Sequence, residues 1–197
     1  MPETPKEMLV RYLQNVREAA LWKLEGASEY DVRRPLTPTG SNLLGIVKHL
    51  ASVDLGYFVS SFGRELPVAL PWHEDDADPN DDMWATPDES REDIVGLYRL
   101  AWQASAKTFD ELELDSEGHV PWWPADRNPV TLHLLLVHMI TETSRHVGQL
   151  DILRENVDGA VGMRPAAMNL PDDDFDWPAY VAQVEAAAAS FRDSAQG

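Results

Sequence analysis

From about Pro5 to Leu24, Met8, Tyr12, Val16, Ala19, Ala20 and Leu24 recur at three- and four-residue steps, the period of one buried helix stripe. The segment GASEYDVRRPLTPTG, rich in glycine and proline, then interrupts the pattern, and Thr39, Ser41 or Asn42 is placed to cap the next helix. This second helix is expected over about Leu43 to Phe62, where Leu43, Ile46, Val47, Leu50, Val53 and Tyr57 keep the helical period. Acidic, proline-containing residues from Pro67 to Trp84 read as a long surface loop. Thr86-Pro87-Asp88-Glu89 has the form of a capping box, so a third helix is expected to start there and to carry Ile94, Leu97, Tyr98, Ala101, Trp102 and Phe109. Asp115-Ser116-Glu117-Gly118 ends it, and the loop HVPWWPADRNP comes next. Asn128-Pro129 reads as a cap and first turn, opening the longest helix, which runs to about Asn156 and stops near Gly159. After the acidic loop Pro171 to Asp176, a short alanine-rich helix from about Pro178 to Arg192 is expected to pack outside the rest. Neither a convincing strand nor an internal repeat is evident.

Four long amphipathic helices joined by long connections define an all-α chain, a four-helix bundle in which at least one loop crosses over. At 197 residues the chain is long enough to bury about two-thirds of its unfolded surface, so residues 1–197 are read as one domain.

Composition narrows the chemistry. The 16 basic residues against 34 acidic ones give a net charge of -18, which repels phosphate backbones and anionic lipid. Neither nucleic acid nor membrane is expected as a partner. No apolar run is read as approaching the ~20 residues of a bilayer span, and the N-terminus lacks a basic segment followed by an apolar one, so a cytoplasmic location is expected. The absence of cysteine removes disulfides, thiolate metal sites and a cysteine nucleophile. Any metal must take His, Asp or Glu.

Glu142 and His146, four residues apart on the last long helix, lie one turn above the other on the same face and can share one ion. A third ligand comes either from His49, which its neighbours Ile46 and Val53 aim toward the core, or from His138, four residues before Glu142. Periodicity does not choose between them. Two imidazoles and a carboxylate leave an open coordination position on Zn²⁺ or a similar ion. The competing reading is an ordinary exposed helix pair with a boundary histidine. His133 reads as a boundary residue, and His73 and His119 as solvated loop residues.

The segments IVKHLASVDLGYF and VTLHLLLVHMITETSRHVGQLDILRENVDG resemble the DinB/YfiT-like metalloproteins, and within them the mycothiol-dependent group. The resemblance covers nearly the whole chain. It implies an up-down-down-up bundle with one histidine from the second helix and a ligand pair spaced by four in the fourth. Carried over by position, the ligands are His49, Glu142 and His146. The commonest pattern of that superfamily has three histidines, whereas Glu142 in the middle place looks like the mycothiol-dependent maleylpyruvate isomerase variant. The chain ends at Gly197 without the extension of that isomerase, so the isomerase reaction is not carried over.

The resemblance implies a divalent metal, Zn or Ni, that activates a low-molecular-weight thiol of the mycothiol or bacillithiol type against a small electrophile. A protein without cysteine must borrow the thiolate such chemistry needs. Homodimerisation is compatible with bundles of this family and is fixed by nothing in the residues. Around the ligands, Arg145 is a candidate anchor for an anionic group, against pairing with Glu142 or Glu155. Trp122 and Trp123 are candidate walls of the pocket mouth, against plugging the bundle end. Asp151 is a candidate acceptor for a ligand imidazole, against a solvated acid beside Arg154. Tyr57 and Asp54 lie beyond His49 and are read as core or surface before cleft. No residue is singled out as a general acid or base. Two other functions compete: hydrolysis by metal-bound hydroxide, and a non-enzymatic ligand-binding bundle.

Overall fold

Thr4 opens the first helix: its hydroxyl accepts from the Glu7 amide at 3.2 Å while the Glu7 carboxylate accepts from the Thr4 amide at 2.7 Å, with a proline in the first turn. The computed structural model describes residues 2–74, 77–164, 168–171 and 174–192. This first helix, α1, spans Pro5–Trp22. Its inward stripe is not the expected one. Met8 and Tyr12 are exposed, and Leu13 and Arg17 are buried with Ala19 and Ala20. A charged residue can face inward here because Asp54 matches its charge. The interruption after α1 contains a short helix, α2 (Glu29–Arg33), capped by Ser28 and seated on Val32, where only irregular chain was expected.

Helix α3 (Leu43–Phe58) is capped by Asn42, whose Oδ1 accepts from the Gly45 amide at 2.7 Å. It ends four residues before Phe62, and a separate one-turn helix, Ser60–Phe62, takes up the remainder. Contrary to the expectation from composition, Leu43–Phe62 is long and apolar enough to cross a membrane. In this fold, however, 83% of that window is buried inside the protein. Almost every α3 side chain is covered, because the helix packs on both α4 (Arg91–Glu111) and α5 (Leu132–Asp158).

Helix α4 starts four residues later than expected. Ser90 and Asp93 form its capping box, and the Thr86–Glu89 pattern closes only a turn. The Glu89 carboxylate is drawn to Lys48 Nζ on α3 at 2.9 Å, so tertiary pairing fixes the earlier box outside the helix. The start of α5 is also displaced. Asn128 does not cap it. Its side chain donates to the Val120 carbonyl at 3.1 Å and accepts from the Val120 amide at 2.9 Å, across a cis Asn128–Pro129 peptide. Two short strands, β1 (Glu117–Gly118) and β2 (Val130–Thr131), then pair antiparallel, Glu117 opposite Thr131, and Thr131 caps α5. A two-residue ladder leaves no periodic trace in sequence. Gly159 stops α5 in the left-handed conformation, at φ +74°.

Helix α6 (Trp177–Ala189), expected over Pro178 to Arg192, buries no residue. Residues 75–76 of the first acidic loop and 172–173 of the second lie outside the described residues.

The chain is thus mostly helical. Helix α1 packs along α5, and α3 bridges α4 and α5. One core cluster gathers Leu24, Leu44, Leu50, Ile94, Tyr98 and Leu150, and a second gathers Leu13, Phe58, Phe109, Leu132 and Met139. Between α1, α3 and α4 lies a buried polar clamp. Arg17 Nη2 and Nε donate to Asp54 Oδ2 at 2.6 and 2.9 Å, and the Ser105 hydroxyl donates to Asp54 Oδ1 at 2.6 Å. Asp54 is therefore a core residue.

Candidate metal centre

The buried sides of α3 and α5 meet where His49 faces Glu142 and His146. Glu142 Oε1 lies 3.1 Å from His146 Nε2 and 3.8 Å from His49 Nε2, and the two imidazole centroids are 4.9 Å apart. One ligand atom from each residue falls within 4.8 Å of the others. The outer nitrogens are both engaged. His49 Nδ1 stands 2.6 Å from Asp82 Oδ2, and His146 Nδ1 stands 2.8 Å from Gln149 Oε1. Both partners are acceptors, so the ring protons belong on the two Nδ1 atoms and the two Nε2 lone pairs point at the Glu142 carboxylate. With the protons so placed, three lone-pair atoms converge without a donor and repel one another; a proton on an Nε2 or on the Glu142 carboxyl relieves this, and so does one divalent ion. Donors bound to one tetrahedral ion at about 2.1 Å stand about 3.4 Å apart. The distances of 3.1 and 3.8 Å bracket that value, so the set fits a divalent cation.

Asp82 comes from the acidic loop that read as plain surface. A one-turn helix, Asp81–Met83, lies across the start of α3, where Asn42 Nδ2 donates to the Met83 carbonyl at 3.1 Å. Gly45 permits this approach: a Cβ there would lie 1.8 Å from the Met83 oxygen. Further along the loop, Trp72 Nε1 donates to the Ser52 hydroxyl at 2.7 Å, and Lys48 Nζ lies 4.1 Å from the Trp72 ring centre. The hydrogen bond from His49 holds the Asp82 carboxyl below the usual carboxylate range. His73, read as solvated, is exposed, at the rim of a cavity close to these groups.

Of the other residues singled out from sequence, His138 is not part of the converging set. Its ring packs against Tyr57 at 4.8 Å and Trp123 at 5.1 Å, and burial lowers its pKa. Trp122 and Trp123 part ways. Trp123 is half-buried against the second core cluster, its indole donating to the Tyr57 hydroxyl at 3.2 Å. Trp122 remains 53% exposed beside α3 and lines the same cavity as His73. Asp151 steadies no imidazole, because Lys23 Nζ takes it at 2.7 Å; Gln149 fills that role for His146 instead. Arg154 is engaged by Asp158 and by the Lys23 and Glu25 carbonyls. Arg145 is exposed and pairs with neither Glu142 nor Glu155; among the described residues it makes no hydrogen bond or ion pair. His119 is exposed, as expected, and His133, read as a boundary residue, is exposed as well. The sequence offered one cue to Asp82, the otherwise unfavourable glycine at position 45 inside a helix.

Fold and site together define a mostly helical protein with a two-histidine, one-glutamate donor set able to hold a divalent cation. The profile of the Mycothiol-S-transferase family matches residues 8–159, and the chain belongs to that family. The resemblance carried by α3 and α5 is borne out. No curated protein matches the chain.

Proposed function

We propose that His49, Glu142 and His146 hold one Zn²⁺ or Ni²⁺ ion, and that the protein joins mycothiol through its thiol sulfur to a small electrophile. The observation that carries this reading is the convergence of two bare Nε2 atoms and a carboxylate while Asp82 and Gln149 fix both rings from behind. Such an ion, when bound, supplies the Lewis acidity that makes a thiol a thiolate at neutral pH. The chain's own part is to orient and to exclude. Asp82 and Gln149 hold the imidazoles in one tautomer, and Glu142 tempers the positive charge. Arg145, exposed and without an ion pair among the described residues, is read as an anchor for an anionic group of the thiol. The transfer forms a C–S bond as the leaving group departs with its electron pair, and the thiol proton goes to solvent. The four long helices are read as an up-down-down-up bundle and residues 1–197 as one domain. The exposed Leu134, Val137 and Ile152 on the outer side of α5 support a homodimer.

Elemental analysis of the purified protein is expected to give about one equivalent of zinc or nickel, and conjugation of a chlorodinitrobenzene is expected to require added mycothiol. Metal far below one equivalent overturns the centre. Turnover of ester or amide substrates without any thiol overturns the transferase and favours hydrolysis. Asp82→Asn, which keeps the shape but weakens the acceptor, is expected to reduce zinc affinity about 10- to 100-fold in competition with a chromophoric chelator.

A further inference from the structure

On α3, Ser52, Val53 and Gly56 come three, four and seven residues after His49, so all four share one side of the helix. Ser52, Val53 and Gly56 line a cavity of about 360 Å³, closed by His73 from the acidic loop and by Trp122 from the Pro121–Pro124 turn. Its volume is in the range of small-molecule sites. The indole of Trp122 lies directly on the helix backbone. A Cβ at Gly56 would come within 2.9 Å of its outer ring carbon, so glycine is what seats it. Trp122 is held rather than loose: it packs edge-on against Tyr57 at 5.2 Å, and its Nε1 donates to the Tyr57 hydroxyl at 3.4 Å. Even so, 53% of the residue remains open to solvent.

The lining carries no acid, lysine or arginine, which is unusual in a chain of net charge -18. Nor does it offer a spare hydroxyl. Ser52 already accepts from Trp72 Nε1 and donates to the Lys48 carbonyl at 3.1 Å. What remains is a fixed aromatic face, the His73 imidazole, an aliphatic side chain and bare backbone, beside the converging imidazoles.

We propose that this cavity is the subsite for a planar, uncharged group of the electrophile, stacked on the open face of Trp122, with Trp122 and Gly56 as specificity-determining residues. The assignment of the occupant to an electrophile rests on the transferase reading above. The ligand class rests on the lining alone.

The test uses the zinc-loaded full chain with its seven tryptophans replaced by 5-fluorotryptophan. The ¹⁹F resonance of Trp122 is assigned by its loss in Trp122→Leu. Titration with 1-naphthol is expected to shift that resonance saturably, and the saturated counterpart 1-decalol is expected to bind roughly 3- to 10-fold more weakly for want of stacking. In Trp122→Leu, calorimetry is expected to show the two alcohols binding alike. Gly56→Ala is expected to weaken naphthol with the zinc content unchanged. An unmoved Trp122 resonance, equal affinities in the native protein, or an undiminished preference in Trp122→Leu overturns the subsite. Because Trp122→Leu alters an exposed side chain, it decides the matter even if Gly56→Ala does not fold. Binding is read without thiol or turnover, so naphthol seated on Trp122 in a protein that conjugates no thiol overturns the reaction and leaves the cavity's ligand class standing.

Discussion

Asp54→Ala is expected to lower the free energy of unfolding by about 3–5 kcal/mol, measured from urea denaturation curves. The reason lies in what the substitution leaves behind. Arg17 and Asp54 side chains are 2% and 1% exposed, and Ser105 is fully buried. Without the carboxylate, the Arg17 guanidinium stays between Phe58, Trp102 and Phe109, whose rings lie 5.8 to 6.0 Å from its central carbon. Those rings give a desolvated cation only part of what a carboxylate gave. Against a typical total of about 5–15 kcal/mol, the loss is a large fraction of stability. The double variant Arg17→Met/Asp54→Leu removes both charges and fills the space, and is expected to recover most of the loss. A cost under about 1 kcal/mol for Asp54→Ala contradicts the assignment of an uncompensated buried charge.

The second large effect concerns the metal. Deleting one of three converging donors by His146→Ala is expected to lower zinc affinity by more than the roughly 100-fold upper range for removing a supporting partner. More telling is Gly45→Ala, at a residue that supplies no ligand atom. Alanine in place of glycine inside a helix ordinarily adds about 1 kcal/mol of stability. Here the new methyl would lie 1.8 Å from the Met83 oxygen and 2.4 Å from its carbonyl carbon, so the one-turn helix 81–83 must retreat, taking Asp82 from His49. Zinc affinity is expected to fall by about 10- to 100-fold, matching Asp82→Asn. Competition titrations on the two variants and their combination check this. Additive losses in the combined variant contradict a common cause.

Helical period located the long helices because each of α1, α3, α4 and α5 has to bury one side, and glycine, proline and capping residues marked most of their ends. It misjudged the inner side of α1, because an arginine is assigned to solvent unless its partner is known, and Asp54 lies 37 residues away. It placed the start of α4 at Thr86 because Thr86–Glu89 and Ser90–Asp93 are equally good boxes locally, and Lys48, on another helix, decides between them. In the site, the four-residue step brought Glu142 and His146 together without help. His49 and His138 were indistinguishable by period, since both point inward. The structure sends His138 to Tyr57 and Trp123, an aromatic contact that no spacing announces. Asp82 was illegible for a different reason. It is one acid among many in a loop with no period, and its role depends on a glycine on another element.

Positions 45, 49, 52 and 56 of α3 form a single line along one helix, and each carries a different duty: seating Met83, presenting an imidazole, accepting the Trp72 indole, and seating Trp122. Eleven residues of helix set the two glycine seats about 16 Å apart. The reach from the carboxylate behind the His49 imidazole to the aromatic wall of the cavity is therefore a length ruled off by one rigid rod, independent of the loops that lie against it. Those loops are free to change in length and composition between their anchor points without altering the gauge of the cleft.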